Sequence, residues 1–127
     1  MIITTPISLG ELVDKISILK IKSKNIKDLE KLTLIKKELN LLESILKNSV
    51  PDAKIDKFLF KLIEINSKLW KIEDEIRDCE RIKKFDKKFI ELARSVYITN
   101  DKRSEVKLEI NNHFGSDLIE VKSYEKY

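Results

Sequence analysis

Turn-forming residues are scarce in this chain of 127 residues, which contains only two glycines and two prolines. Sandwiches and barrels of short strands need frequent turns, so this scarcity disfavours them and favours long helices. The single cysteine, Cys79, has no partner for a disulfide within the chain, which fits a reducing compartment. The sequence therefore predicts one all-α domain over residues 1–127.

Long apolar runs are also missing. No stretch reaches the ~20 apolar residues that a membrane-spanning helix needs. The segment from Met1 to Gly10 lacks the basic stretch and apolar run of a secretory leader. We therefore expect a soluble cytoplasmic protein with no membrane partner.

Several familiar chemical signatures do not occur in the sequence. It contains no glycine-rich phosphate loop, no paired-cysteine zinc spacing, no nucleophile elbow and no His-Glu-x-x-His helix. We therefore predict no cofactor, and the sequence leaves open whether the protein is an enzyme.

Charge is abundant but almost balanced, with 26 lysines and arginines against 22 acidic residues and a formal net charge of +4. Most lysines are interspersed with acids at helical spacing, as on a solvated helix surface. The mild excess is therefore weak evidence for a nucleic-acid partner, and a nucleic-acid-binding module is only the third functional alternative.

Two helices are predicted in the first half of the chain. Ser8 is placed to cap a helix over 9–26, and Glu11 is placed to bond back to the Ser8 N–H. Asp28 offers a cap for a second helix over 29–48. This second helix carries apolar residues at alternating steps of three and four, typical of a coiled-coil seam. They are Leu32, Ile35, Leu39, Leu42 and Leu46.

A third helix, over 53–83, has the longest apolar seam. Its members are Phe58, Leu62, Ile65, Leu69, Ile72, Ile76 and Cys79. The loop 48–52 is short, so the second and third helices are expected to form an antiparallel hairpin. One short helix cannot cover the whole seam, so we also expect a homo-oligomer that associates through the seams of these two helices.

The last third of the sequence predicts shorter helices. Asp86 caps a fourth helix, the stretch 99–101 breaks it, and a fifth helix ends near Gly115. Residues 116–127 are expected to form an extended tail held by Leu118, Ile119 and Tyr124. The predicted fold is thus an elongated antiparallel bundle, or coiled-coil hairpin, with shorter C-terminal helices and a tail.

All four arginines lie in the second half of the chain, between Arg77 and Arg103. Arginine binds carboxylates and phosphates with two parallel hydrogen bonds, and a helix break exposes backbone amides that attract anions. We therefore predict an anion site. Its candidate residues are Arg77, Arg94, Asn100, Asp101 and Arg103. The alternative is that these arginines form ordinary surface pairs, such as Arg77 with Glu73.

Two short acidic pairs suggest a second kind of site. Glu11 with Asp14, and Glu73 with Asp74, would hold Mg²⁺ if the two pairs face each other on neighbouring helices. This arrangement would give a small metal-dependent enzyme acting on phosphorylated substrates. Short acidic pairs are also common by chance in a charge-rich helix.

Five separated stretches of the chain resemble a small bacterial and viral family, domain of unknown function 6165. They are Pro6 to Leu19, Leu69 to Arg77, Phe89 to Tyr97, Asn100 to Arg103, and Gly115-Ser116 together with Glu120 to Tyr124. The resemblance covers nearly the whole chain but implies no reaction, because the family has none assigned. Our leading hypothesis is therefore a helical binding or scaffold protein that self-associates and binds a phosphate- or carboxylate-bearing ligand.

Overall fold

The computed structural model describes all 127 residues and contains four α-helices and no strand. The helices are α1 (Leu9–Asn25), α2 (Leu29–Ser49), α3 (Asp52–Arg81) and α4 (Lys87–Phe114). The all-α class is therefore confirmed. None of the four helices combines the length and the apolar composition that a bilayer crossing requires.

Local sequence signals fix most of the helix ends. The Ser8 side chain accepts a hydrogen bond from the Glu11 N–H, and Asp28 caps α2 through the Lys31 N–H. The Glu11 carboxylate does not return to Ser8 as we predicted, because it binds the ammonium of Lys107 instead. A charged partner across a helix interface thus replaces half of the expected capping box.

The fourth and fifth predicted helices are one continuous helix, α4, which runs through residues 99–101 without a break. The polar residues in this stretch cost little in a helix, and two of them have hydrogen-bond partners. Asn100 accepts a hydrogen bond from Arg103, and Asp101 accepts one from Tyr127. The expectation of shorter C-terminal helices is therefore wrong, and the helix ends at Gly115, which adopts the left-handed conformation (φ 66°, ψ 42°).

Helix α1 lies at the centre of the packing and contacts all three other helices. It runs antiparallel to α4, because Gly10 bonds to Asn111 while Asp14, further along α1, bonds to Arg103. The core cluster draws on every helix. Its buried members are Leu12, Val13, Ile16, Leu46, Ile55, Phe58, Leu62, Val106 and Ile110.

The apolar seam of α2 packs on α1, while α3 packs on α4 and α1. The predicted pairing of the second helix along the third is therefore not the main packing of either helix. Helix α1 contacts both of them instead, and its residues Val13 and Ile16 are fully buried. Both seams that we expected to join two chains thus serve mainly to bury the core of one chain.

Gly10 allows α1 and α4 to approach closely. A Cβ atom at this position would lie 2.4 Å from the carbonyl oxygen of Lys107, well inside van der Waals contact. The Gly10 N–H donates to the Asn111 side-chain oxygen at 2.7 Å. Close backbone approach at this point brings the polar side chains of the two helices within bonding distance.

The C-terminal segment, residues 116–127, has no regular secondary structure. The apolar residues that we expected to hold it are at least 45% exposed. Polar contacts hold it instead. Ser116 accepts a hydrogen bond from the Leu9 N–H, and Glu120 binds Lys107. The segment therefore lies against α1 and α4 through hydrogen bonds and charges rather than through apolar burial.

Candidate functional site

A buried ion pair joins α1 to α4. Asp14 is fully buried, and its carboxylate accepts two hydrogen bonds from the guanidinium of Arg103, one from Nε at 2.9 Å and one from Nη2. Two parallel bonds of this kind fix both the position and the plane of the guanidinium. The bond to Asp14 raises the pKa of Arg103 above its ordinary value, against the opposing effect of burial.

Helix α3 completes the environment of this pair. The Asn66 amide donates to the Asp14 carboxylate at 2.9 Å and to the Ser17 hydroxyl at 2.7 Å. Ser17 in turn donates to the backbone carbonyl of Asp14 at 2.6 Å. No buried side-chain nitrogen or oxygen in the structure lacks a hydrogen-bond partner. The network therefore avoids the cost of burying unpaired polar groups.

A second ion cluster lies one helical turn further along α4. The Lys107 ammonium donates to Glu11 at 2.7 Å and to Glu120 at 2.9 Å. Burial alone would lower the pKa of Lys107, but the two carboxylates outweigh it and the pKa is raised. Lys122 and Lys107 together lower the pKa of Glu120 to about 2. This cluster connects α1, α4 and the C-terminal segment.

A concave groove opens beside the Asp14–Arg103 pair, between α1, α3 and α4, and we call it the arginine groove. It encloses about 400 Å³, a volume suited to a small ligand. Its apolar walls are Ile18, Ile21, Leu69, Trp70 and Val96. Its polar lining consists of Lys22, Asn66, Glu73, Asp74, Arg77, Asn100 and Arg103.

Arg103 is the central cation of the arginine groove. Its Nε and Nη2 atoms bind Asp14, while Nη1 makes only a long hydrogen bond of 3.4 Å to the Asn100 side chain. A guanidinium has five N–H donors, so this arrangement leaves donors on its outer edge. The side chain is 27% exposed. Arg103 is therefore held rigidly from behind and can still donate hydrogen bonds to a ligand.

The remaining charges of the arginine groove are less constrained. Lys22 and Asp74 make no salt bridge, and Arg77 forms an exposed pair with Glu73 at 3.3 Å. Exposed pairs of this kind are weak and exchange readily with other partners. Trp70 is half-buried and offers a flat apolar wall. The groove thus combines unpaired or weakly paired charges with one fixed cation and one aromatic surface.

The structure brings three of the five predicted anion-site residues into one groove, namely Arg77, Asn100 and Arg103. Arg94 is exposed and lies outside it. Asp101 faces the other side of α4, where it accepts a hydrogen bond from Tyr127 at 2.6 Å. The expected helix break and its free amides are absent, so the groove depends on side chains alone.

Sequence reasoning missed three polar residues of the network and groove, namely Ser17, Lys22 and Asn66. Lys22 gave no signal, because it is one lysine among many. Asn66 did give one, since it lies four residues after Leu62 on the apolar stripe of α3. A polar residue at such a position needs a buried partner, and here it has two.

The acidic residues proposed as Mg²⁺ ligands are not assembled in one place. Glu11 binds Lys107 and Asp14 binds Arg103, while Glu73 and Asp74 line the arginine groove. No three histidine, cysteine or acidic side chains come together in a way that could hold a metal ion. The Mg²⁺ site therefore stays a prediction from sequence with no support from the geometry.

Comparison with protein-family models, with curated proteins and with solved structures found no match to this chain.

Proposed function

We propose that this protein binds a small ligand bearing a phosphate or carboxylate group in the arginine groove. The observation that carries the proposal is the geometry of Arg103, which Asp14 holds in two parallel bonds while its outer edge faces the groove. A cation whose position is fixed before binding loses little entropy when a ligand arrives. The anionic group of the ligand would accept hydrogen bonds from this edge.

Other groups in the groove favour the same class of ligand. Lys22 and Arg77 add two cations to the lining, where Glu73 and Asp74 offset part of their charge, and Asn100 adds a side-chain amide. The wall formed by Trp70 and its apolar neighbours would cover a planar or aliphatic part of the ligand. The best fit is therefore an organic acid or phosphate ester with an apolar portion, rather than a bare inorganic ion.

Isothermal titration calorimetry with phenyl phosphate and with benzoate tests this proposal. Both probes carry an aromatic ring and an anionic group, and at least one should bind saturably. Arg77→Ala should weaken this binding about tenfold, because the variant loses a charge-assisted hydrogen bond to the ligand. Arg103→Lys, which keeps a positive charge opposite Asp14, should also weaken it, since lysine lacks the planar fork.

Arg94→Ala is the matched control, because it removes an arginine from the same half of the chain outside the groove. Its affinity for the probes should equal that of the unmodified protein. Absence of saturable binding for both probes, or equal losses in Arg94→Ala and Arg77→Ala, would remove the proposal. Circular dichroism on each variant separates loss of the site from loss of the fold.

The alternatives from the sequence predict other ligands, and a thermal-shift assay compares these with the two aromatic anions. A metal-dependent enzyme should gain thermal stability from Mg²⁺, and a nucleic-acid-binding module should gain it from a short DNA duplex. A larger shift from either of these than from the aromatic anions would favour that alternative. Membership of the domain of unknown function 6165 family stays part of the proposal and adds no activity to it.

A scaffold role by self-association is favoured by a separate feature, an exposed apolar stripe on α2. Leu34, Leu41 and Ile45 are 69%, 46% and 52% exposed and share one helix face. This stripe is distinct from the seam that packs on α1. We infer that it joins two copies of the chain. Light scattering should give about twice the mass of 14.9 kDa, and Leu41→Glu should restore the monomer mass.

Leu29→Glu is the control for self-association, because Leu29 is also exposed but lies on another face of α2. Light scattering should give this variant the same dimer mass as the unmodified protein. A monomer mass for the unmodified chain at high micromolar concentration would exclude this role and leave ligand binding unaffected.

A further inference from the structure

All three tyrosines of the chain line a single cavity, although they come from distant parts of the sequence. Tyr97 belongs to α4, while Tyr124 and Tyr127 belong to the C-terminal segment. The cavity encloses about 930 Å³ between the segment and the outer face of α4. It lies on a different side of α4 from most of the arginine groove, and we call it the tyrosine cavity.

Direct contacts orient two of these rings. The rings of Tyr97 and Tyr127 meet edge to face, with centroids 5.4 Å apart and an interplanar angle of 69°. The Tyr127 hydroxyl donates to the Asp101 carboxylate at 2.6 Å. One hydrogen bond and one ring contact therefore hold the C-terminal segment closed against α4 at this point.

The charges lining the tyrosine cavity leave a negative excess. Glu120 is already shared between Lys107 and Lys122. Three further carboxylates line the cavity, those of Asp101, Glu105 and Glu125. None of the three forms a salt bridge, and Lys126 is the one remaining cation of the lining.

We propose that the tyrosine cavity binds an organic cation carrying an alkylated ammonium group. The face of a tyrosine ring attracts a cation, and weakly hydrated alkylated ammonium groups gain most from such contact. The ring of Tyr124 already has the Lys122 ammonium over it, 5.9 Å from its centroid. The carboxylates that form no salt bridge would supply the long-range attraction, and the rings would supply the contact surface.

This inference does not rest on the proposed function of the arginine groove. The two sites are lined by different groups, since the arginine groove presents the outer edge of a guanidinium, whereas the tyrosine cavity presents three phenol rings and one more acid than cations. Asn100 lies between them and lines both. An anion in one site and an ammonium group in the other would bind independently, or would favour each other weakly through their opposite charges.

Calorimetric titration of the full chain with choline, at constant ionic strength, tests the proposal. The neutral isostere 3,3-dimethyl-1-butanol has the same shape without the charge. Choline should bind saturably and the alcohol should not, because the attraction between a cation and a ring depends on charge. Equal heats from both compounds, or no saturable binding of choline in the millimolar range, would overturn the proposal.

Variants locate the binding. Tyr97→Ala should weaken choline binding roughly fivefold or more, while Tyr97→Phe should largely preserve it, because phenylalanine keeps the ring face. Phe60→Ala is the matched control, since Phe60 is an exposed aromatic residue on α3 outside the cavity. Equal losses in Tyr97→Ala and Phe60→Ala would place binding elsewhere and overturn the assignment. Tyr97 is 46% exposed, and circular dichroism should confirm that its variants fold.

Discussion

Helices α1 and α2 are sequence neighbours of similar length, yet they differ sharply in burial. Helix α1 buries eight of its 17 residues, whereas α2 buries two of 21. The apolar repeat is more regular in α2, while α1 buries a glycine, an aspartate and a serine along with its apolar residues. The difference shows that the number of neighbouring helices, more than the regularity of an apolar stripe, determines how deeply a helix is buried.

The polar residues of α1 are compatible with this central position because each has a specific partner. Asp14 is neutralised by Arg103, Ser17 is bonded to Asn66, and Gly10 is bonded to Asn111. Helix α2 has no comparable network, and its one salt bridge to α1, Lys20 to Glu43, is more than a third exposed. We therefore expect substitutions in α1 to cost far more stability than those in α2.

The largest expected effect is that of Asp14→Ala. The change leaves the part-buried guanidinium of Arg103 without its counter-ion and should lower the free energy of unfolding by about 3–5 kcal/mol. Urea denaturation measures this loss. Asp117→Ala, which removes an exposed acid outside any salt bridge, should change stability by less than about 0.5 kcal/mol. Similar values for the two variants would mean that the buried pair contributes no more than a surface charge.

The next largest effect is the loss of stability when one apolar side chain is truncated in each of the two helices. Ile16→Ala in α1 removes a fully buried side chain and should cost about 2–5 kcal/mol. Leu42→Ala in α2 removes a half-buried side chain packed against the same core, and should cost less than half as much. Thermal or urea unfolding of both variants gives the ratio. An equal loss of stability in the two variants would contradict the expectation that α1 contributes more to the core than α2.

Gly10→Ala should have a smaller effect, which comes from overpacking the contact between α1 and α4. The added Cβ would meet the Lys107 carbonyl at 2.4 Å, so α1 and α4 must move apart. We expect a loss of about 1–3 kcal/mol, typical of overpacking. Ser44→Ala, at an exposed position of α2, is a suitable control and should be nearly neutral. A neutral Gly10→Ala would show that the two helices can separate without cost.

The smallest effect concerns the charges that join the first turn of α1 to the C-terminal segment through Lys107. Lys122 and Lys107 lower the pKa of Glu120 from 4.5 to about 2, so its stabilising contribution is complete above pH 4.5 and is lost as the pH falls toward 2. The side chain is 38% exposed, and we expect less than about 1 kcal/mol. Unfolding at pH 5 and pH 3 should show a smaller pH dependence in Glu120→Gln than in the unmodified protein.

Local sequence signals predicted several helix ends correctly, but they did not predict that α4 is continuous. Ser8, Asp28 and Gly115 marked helix ends correctly, because caps depend on adjacent backbone groups. The break predicted at 99–101 was wrong, because α4 continues through these polar residues, and one of them, Asp101, has a tertiary partner in Tyr127. Propensity is a weak signal that tertiary contacts override.

The sequence also predicted only part of the candidate site. Clustering of the arginines pointed to Arg77 and Arg103, which do share a groove. Arg94 belongs to the predicted anion site only if the helix breaks at 99–101. On a continuous helix, nine residues place Arg94 about 180° away from Arg103. The partner of Asp14 was not predictable, because Arg103 lies 89 residues later in the chain.

That separation has a consequence for synthesis of the protein. Helix α1 leaves the ribosome early, but the groups that satisfy Gly10 and Asp14 lie 101 and 89 residues later. Helix α2 can cover one side of α1 as it emerges, yet the buried carboxylate has no counter-ion until α4 has been made. Closing such long loops is slow. The nascent chain therefore carries its most central helix incompletely packed until these partners have been synthesised.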